Sequence, residues 1–151
     1  MKKLRILLAD DHPEMLSAIC GVLEDKFGEV VETVGDGEAL VEAAQRLKPD
    51  IIIADISMPK LNGLDATRVL QASVPQSKVI ILSVHREPVY VSLAFNAGAR
   101  GYLLKRTGLH TELPKALQRV TAGDRYIGLG IREECGECLA RLPSVPHQYS
   151  Y

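Results

Sequence analysis

The sequence predicts an α/β domain, a doubly wound five-stranded parallel sheet with helices on both faces. Three observations lead there. Short apolar runs recur, among them Leu4-Arg5-Ile6-Leu7-Leu8-Ala9 and Ile51-Ile52-Ile53-Ala54. They are too short for helices, and the second is too continuous for a strand with one face in water. Between such runs, apolar residues fall at helical spacing, and Gly, Pro, Asp or Asn marks many of the changeovers.

The first strand is Leu4–Ala9. Pro13 suits the first turn of a helix, and Met15, Leu16, Ile19, Val22 and Leu23 follow on one face. Residues 29–34 form a second strand of mixed pattern, less buried than the others. Asp36 is the N-cap of a second helix whose inner face is Ala39, Leu40, Ala43 and Leu47. Ile51–Ala54 is the central strand. Asn62 caps a third helix running to about Ala72. Lys78–Ser83 is strand four and Pro88–Ala97 helix four, with Gly98 as its C′ residue. Gly101–Leu104 is strand five. Leu109, Leu113, Ala116, Leu117 and Val120 stripe a fifth helix that ends before Gly123. Right-handed crossovers leave the flavodoxin-like strand order 2-1-3-4-5 as the simple solution.

At 151 residues the chain is one domain with a short appendage, divided at residues 1–127 and 128–151. The formal net charge is −1 and no Lys/Arg cluster occurs, which argues against direct DNA binding by this chain alone. No apolar run is long enough to span a membrane. Residues 1–5 begin like a secretory signal, but the apolar stretch stops at Asp10, so a cytoplasmic protein is expected. Three cysteines, an odd number, do not make a disulfide framework.

The chemistry gathers at strand ends. Asp10 and Asp11 follow the first strand, Asp55 the third and Lys105 the fifth. In a parallel sheet of this kind the carboxyl ends of the strands line one crevice. Three carboxylates and an ammonium therefore converge. Crowded carboxylates repel, and a hard divalent cation such as Mg²⁺ relieves them. Metal, carboxylate and lysine together suit a phosphoryl group.

Asp10-Asp11, then Asp55-Ile56-Ser57-Met58-Pro59-Lys60-Leu61-Asn62-Gly63, then Ser83, then residues 98–105 (GARGYLLK) carry a family resemblance. Over residues 4–127 the chain resembles the receiver domain of bacterial two-component response regulators, and around helix four and residues 98–105 it most resembles the NarL/FixJ subfamily. The resemblance implies a phosphorelay switch. Asp55 would be the phosphoacceptor, receiving its phosphoryl group from a sensor histidine kinase. Mg²⁺ would be held by Asp11, Asp55 and the Ser57 backbone carbonyl, with Asp10 acting through a water. Lys105 would pair with a phosphoryl oxygen and the Ser83 hydroxyl would bond another. Tyr102 would be the aromatic switch, moving inward as Ser83 is drawn to the phosphoryl group. Self-association is expected as a homodimer, through helix four, strand five and helix five or through the tail. Slow loss of the phosphoryl group is expected, with Val84 restricting the path of water and His85 flanking it. Many members have proline after the lysine, whereas Arg106 stands here.

Simpler readings stand beside these. Asp36 and Asp50 are turn formers or caps. His12, next to the acidic pair, is a first-turn polar residue beside Pro13 rather than a metal ligand. Cys135 and Cys138 share one helical face with Ile131, Leu139 and Leu142, so residues 131–142 are an amphipathic helix, a linker or docking element, rather than half a zinc site. NarL/FixJ regulators carry a helix-turn-helix output domain, and residues 128–151 are too few for one. A stand-alone receiver is expected, or one whose output domain was lost or removed. The alternatives are a truncated DNA-binding transcriptional regulator of the NarL/FixJ type, or an aspartyl-phosphate hydrolase. The hydrolase is disfavoured because its motif is D-x-D after the first strand, and here the pair is adjacent.

Overall fold

A computed structural model of the chain describes residues 3–23, 27–105 and 108–131. The elements follow in the order β1 (Leu4–Ala9), α1 (Pro13–Leu23), β2 (Gly28–Val34), α2 (Gly37–Leu47), β3 (Ile51–Ala54), α3 (Gly63–Ser73), β4 (Lys78–Ser83), α4 (Pro88–Ala97), β5 (Gly101–Leu104), α5 (Leu109–Thr121) and β6 (Tyr126–Ile127). All strand pairs are parallel, in the order β2-β1-β3-β4-β5-β6. The expected order 2-1-3-4-5 is therefore present and extended by a sixth strand. That strand is two residues long, too short to show any alternation, and it forms only because the β5 edge offers it a partner.

The strands are buried on both faces, and successive residues feed two separate cores. Leu7, Ala9, Ile52, Ala54, Ile81 and Tyr102 face the side covered by α2, α3 and α4. Ile6, Leu8, Ile53, Ile80, Leu82 and Leu103 face α1 and α5. This explains the near-continuous apolar runs of β1, β3 and β4. Strand β2, at the sheet edge, keeps the mixed burial its sequence implied.

The caps are where the sequence placed them. The Asp36 carboxylate accepts from the amide of Ala39 at 2.7 Å, and the Asn62 side chain accepts from Leu64 and Asp65 at 2.9 Å each. Helix α4 ends on Gly98 at φ +111°, a left-handed conformation natural to glycine. Gly63 opens α3 against the end of β3. A Cβ there would lie 1.9 Å from the Asp55 carbonyl oxygen, so only glycine lets this helix start so close to the strand.

Past β6 the chain still belongs to the packed body. The Gly128 amide donates to the Tyr102 carbonyl at 2.8 Å, and the Leu129 amide donates to Glu112 at 2.8 Å. Ile131 is fully buried in the core beneath α2–α4. The expected helix over residues 131–142, with Cys135 and Cys138, lies outside the described residues except for Ile131. Arg106 lies outside them too.

Candidate functional site

Sheet register brings the candidate residues to one edge. Ala9 pairs with Ala54, so the next residues, Asp10 and Asp55, leave their strands side by side. The Asp55 amide donates to the Ala9 carbonyl at 3.0 Å and closes that step. On the other flank Ser83 pairs with Leu104, and the Lys105 amide donates to the Ser83 carbonyl at 2.8 Å. Four strand ends thus deliver Asp10, Asp55, Ser83 and Lys105 to the carboxyl edge, in the crevice expected of this sheet.

The charges meet there. Lys105 Nζ lies 2.6 Å from Asp10 Oδ2 and 2.9 Å from Asp55 Oδ2. Burial alone would push the lysine pKa down; its hydrogen bonds to Asp10 and Asp55 outweigh that and leave it raised, so the ammonium form is secure. Asp10 and Asp55 are buried, while Asp11 is more open. Ligand atoms of Asp10, Asp11, His12 and Asp55 all lie within 4.8 Å of one another. One lysine does not balance three carboxylates. Hard oxygen donors so close and incompletely neutralised fit a divalent cation such as Mg²⁺.

His12 joins this cluster in addition to filling the first-turn position expected from sequence. Its Nδ1 is 3.1 Å from Asp10 Oδ1 and 3.0 Å from Asp11 Oδ1. The bond to Asp10 and the Asp11 charge raise its pKa. The first-turn role also holds, since its carbonyl accepts from Met15 and Leu16. Adjacency in sequence to the acidic pair was the signal.

Ser57 is exposed and, with Asp11, Met58, Asn62, His85 and Tyr90, lines an open cleft of about 670 Å³ beside the cluster. A second hollow of about 340 Å³ is lined by Lys105, His12, Glu14, Met15 and Val84. Val84 is 65% exposed at its rim.

Ser83 is fully buried, and its Oγ accepts from the His85 amide at 3.0 Å. Tyr102 lies two residues down β5 from Leu104, on the α4 side, and is also fully buried. Its hydroxyl donates to the His85 carbonyl at 2.8 Å. Burial pushes that hydroxyl up to about 12, against the opposing pull of a side-chain hydrogen bond with Ser83. The ring is therefore packed within the core on the α4 side. The His85 ring stacks on Tyr90, centroids 4.1 Å apart and planes 15° from parallel. No periodicity in the sequence pointed to that pair.

The response regulator receiver domain matches residues 6–118, three quarters of the chain. The chain belongs to the response regulator receiver family. This receiver is 37% identical over 132 residues to the response regulator GacA of Pseudomonas aeruginosa, covering 87% of this chain and 61% of that protein. Among solved structures it superposes on a LuxR-family two-component response regulator from Aurantimonas sp. SI85-9A1 with a TM-score of 0.85. The two are 28% identical, over 93% of this chain and all of that one. The signal receiver domain of the putative response regulator NarL from Mycobacterium tuberculosis is 30% identical, with a TM-score of 0.77 over 82% of this chain and 99% of that one. The receiver is thus a two-component response regulator domain close to the NarL/FixJ/LuxR group. It spans about three fifths of the length of the curated relatives it matches. Among the described residues no helix is long and apolar enough to cross a membrane.

Proposed function

We propose that the receiver accepts a phosphoryl group on Asp55 from a sensor histidine kinase and relays the change through Ser83 and Tyr102 to the face of α4, β5 and α5. The observation that carries this reading is the placing of Lys105 Nζ between the carboxylates of Asp10 and Asp55, at the edge where Asp11 also lies. An Asp55 oxygen attacks phosphorus in line; the phosphorus–nitrogen bond of the donor histidine breaks, and the released imidazole keeps that electron pair. Asp11, Asp55 and the Ser57 carbonyl would hold Mg²⁺, with Asp10 assisting, and the ion would neutralise charge on the phosphoryl oxygens and on the acidic cluster. Lys105 exchanges its bond to Asp55 for one to a phosphoryl oxygen. The Ser83 hydroxyl takes another.

Turnover belongs to slow hydrolysis of the aspartyl phosphate, not to a metabolic reaction. The cytoplasm is the natural compartment for such a relay. Longer relatives include the transcriptional regulatory proteins MctR and DegU, and control of transcription through an output region is the reading we adopt for the whole protein. For the chain itself the functional units are residues 1–127 as receiver and 128–151 as linker or docking segment, of which residues 128–131 pack onto the receiver. DNA binding is not assigned to it. A homodimer through α4, β5 and α5 is the mode of self-association that fits.

The test is intact-mass measurement after incubation with acetyl phosphate. Wild type should gain one phosphoryl mass with Mg²⁺ and none in chelator, and Asp55→Asn should gain none. Modification of Asp55→Asn at the wild-type rate would sink the assignment.

A further inference from the structure

We propose that the stacked rings of His85 and Tyr90 brace the β4–α4 turn in the conformation that accepts the Tyr102 hydroxyl, which makes Tyr90 a positioning residue for the inward state of Tyr102. His85 is the meeting point of three elements, each reached by a different part of one residue. Its amide donates to Ser83 Oγ at the end of β4. Its carbonyl accepts from the Tyr102 hydroxyl on β5. Its ring lies on Tyr90 in the first turn of α4.

Most of the turn around it faces solvent. Val84 and residues 86–89 are exposed. Glu87, the N-cap of α4, makes no side-chain capping bond. Pro88 sets one backbone angle at the helix start but contributes no amide hydrogen. A nearly parallel aromatic pair at 4.1 Å is a specific contact in such a place.

The consequence runs through hydrogen-bond accounting. A tyrosine hydroxyl buried without an acceptor is penalised, so the inward ring needs the His85 carbonyl where it is. That carbonyl is fixed by the turn, and the turn by the stack. Loosening the stack should lower the population of the inward state. If phosphoryl binding at Asp55 favours that state, apparent affinity falls by the same fraction. The effect on affinity thus rests on the reading of Asp55 as phosphoacceptor, whereas the effect on Tyr102 does not.

Two readouts keep these apart. The first is the carbon-13 ring signal of Tyr102 in labelled protein without donor, identified by its loss in Tyr102→Phe. The second is the affinity for beryllofluoride, a phosphoryl analogue, in excess Mg²⁺. His85→Ala and Tyr90→Ala should each move the Tyr102 signal toward that of an exposed ring and weaken beryllofluoride about 2- to 10-fold. His85→Phe and Tyr90→Phe, which keep a stack, should do neither. The double alanine variant should be no worse than either single one. An unchanged Tyr102 signal in Tyr90→Ala overturns the brace, and so do single effects that add in the double variant. A wild type that ignores beryllofluoride, in variants whose Tyr102 signal still moves, supports the brace and rejects the phosphoacceptor reading instead.

Discussion

Tyr102 shows what burial does to a single residue. Its hydroxyl is held neutral in the folded chain, with its pKa lifted from 10.0 to about 12. A group whose folded value is raised favours the protonated form. Its contribution is therefore complete below pH 10 and lost as the pH rises through 12. Stability to urea should fall by about 2–3 kcal/mol across that interval from this residue. Tyr102→Phe, which has nothing to titrate, should show a correspondingly shallower decline when both are measured by denaturant unfolding. Val84 acts by occupying space. It stands at the rim of the hollow beside Lys105, where its isopropyl group would narrow the way for water to an aspartyl phosphate at Asp55. Val84→Ala should shorten the lifetime of phosphorylated receiver several-fold, as followed by decay of the added phosphoryl mass. An unchanged lifetime would remove the steric argument.

Between strand and helix, the junction of β3 and α3 decides where the Asp55 carboxylate sits. Two adjacent residues make it, for opposite reasons. Asn62 supplies a side chain that satisfies the amides of Leu64 and Asp65. Gly63 supplies the lack of one, and its amide donates to the Ile56 carbonyl at 2.8 Å. Asn62→Ala should cost about 1 kcal/mol and leave phosphorylation near normal, since only a cap is lost. Gly63→Ala should do worse in both respects. Its methyl group would overlap the Asp55 carbonyl, so the helix must withdraw and the acceptor shift. The expected outcome is a loss of about 2 kcal/mol or more with a clear drop in the rate of phosphorylation by acetyl phosphate. A Gly63→Ala protein that phosphorylates like wild type would show that the junction has more room than the geometry allows.

At the scale of the molecule, the packed receiver continues beyond its last expected helix. Strand β6 adds to the β5 edge, Glu112 receives the Leu129 amide, and Ile131 fills the core beneath α2–α4. A chain stopped at residue 127 should be less stable than one stopped at 131 by about 2–4 kcal/mol, because a fully buried isoleucine leaves the core with its neighbours uncovered. Thermal unfolding of the two truncations measures this. Equal midpoints would mean that residues 128–131 are ornamental to the fold.

The strands, the helices and their order were legible in the sequence. Buried parallel strands must be apolar on both faces, and helices that cover them must be apolar on one, so both periods are written into the chain. The positions of Asp10, Asp11, Asp55, Ser83 and Lys105 were legible for the same reason, since strand ends in such a sheet share an edge. What the sequence could not carry is whatever depends on one segment meeting another without a repeating pattern. The sixth strand is two residues with no period of its own. His85 meets Tyr90, Ser83 and Tyr102 through one ring and two backbone groups. Backbone amides and carbonyls are identical at every residue, so tertiary packing alone decides which of them Tyr102 and Ser83 will find.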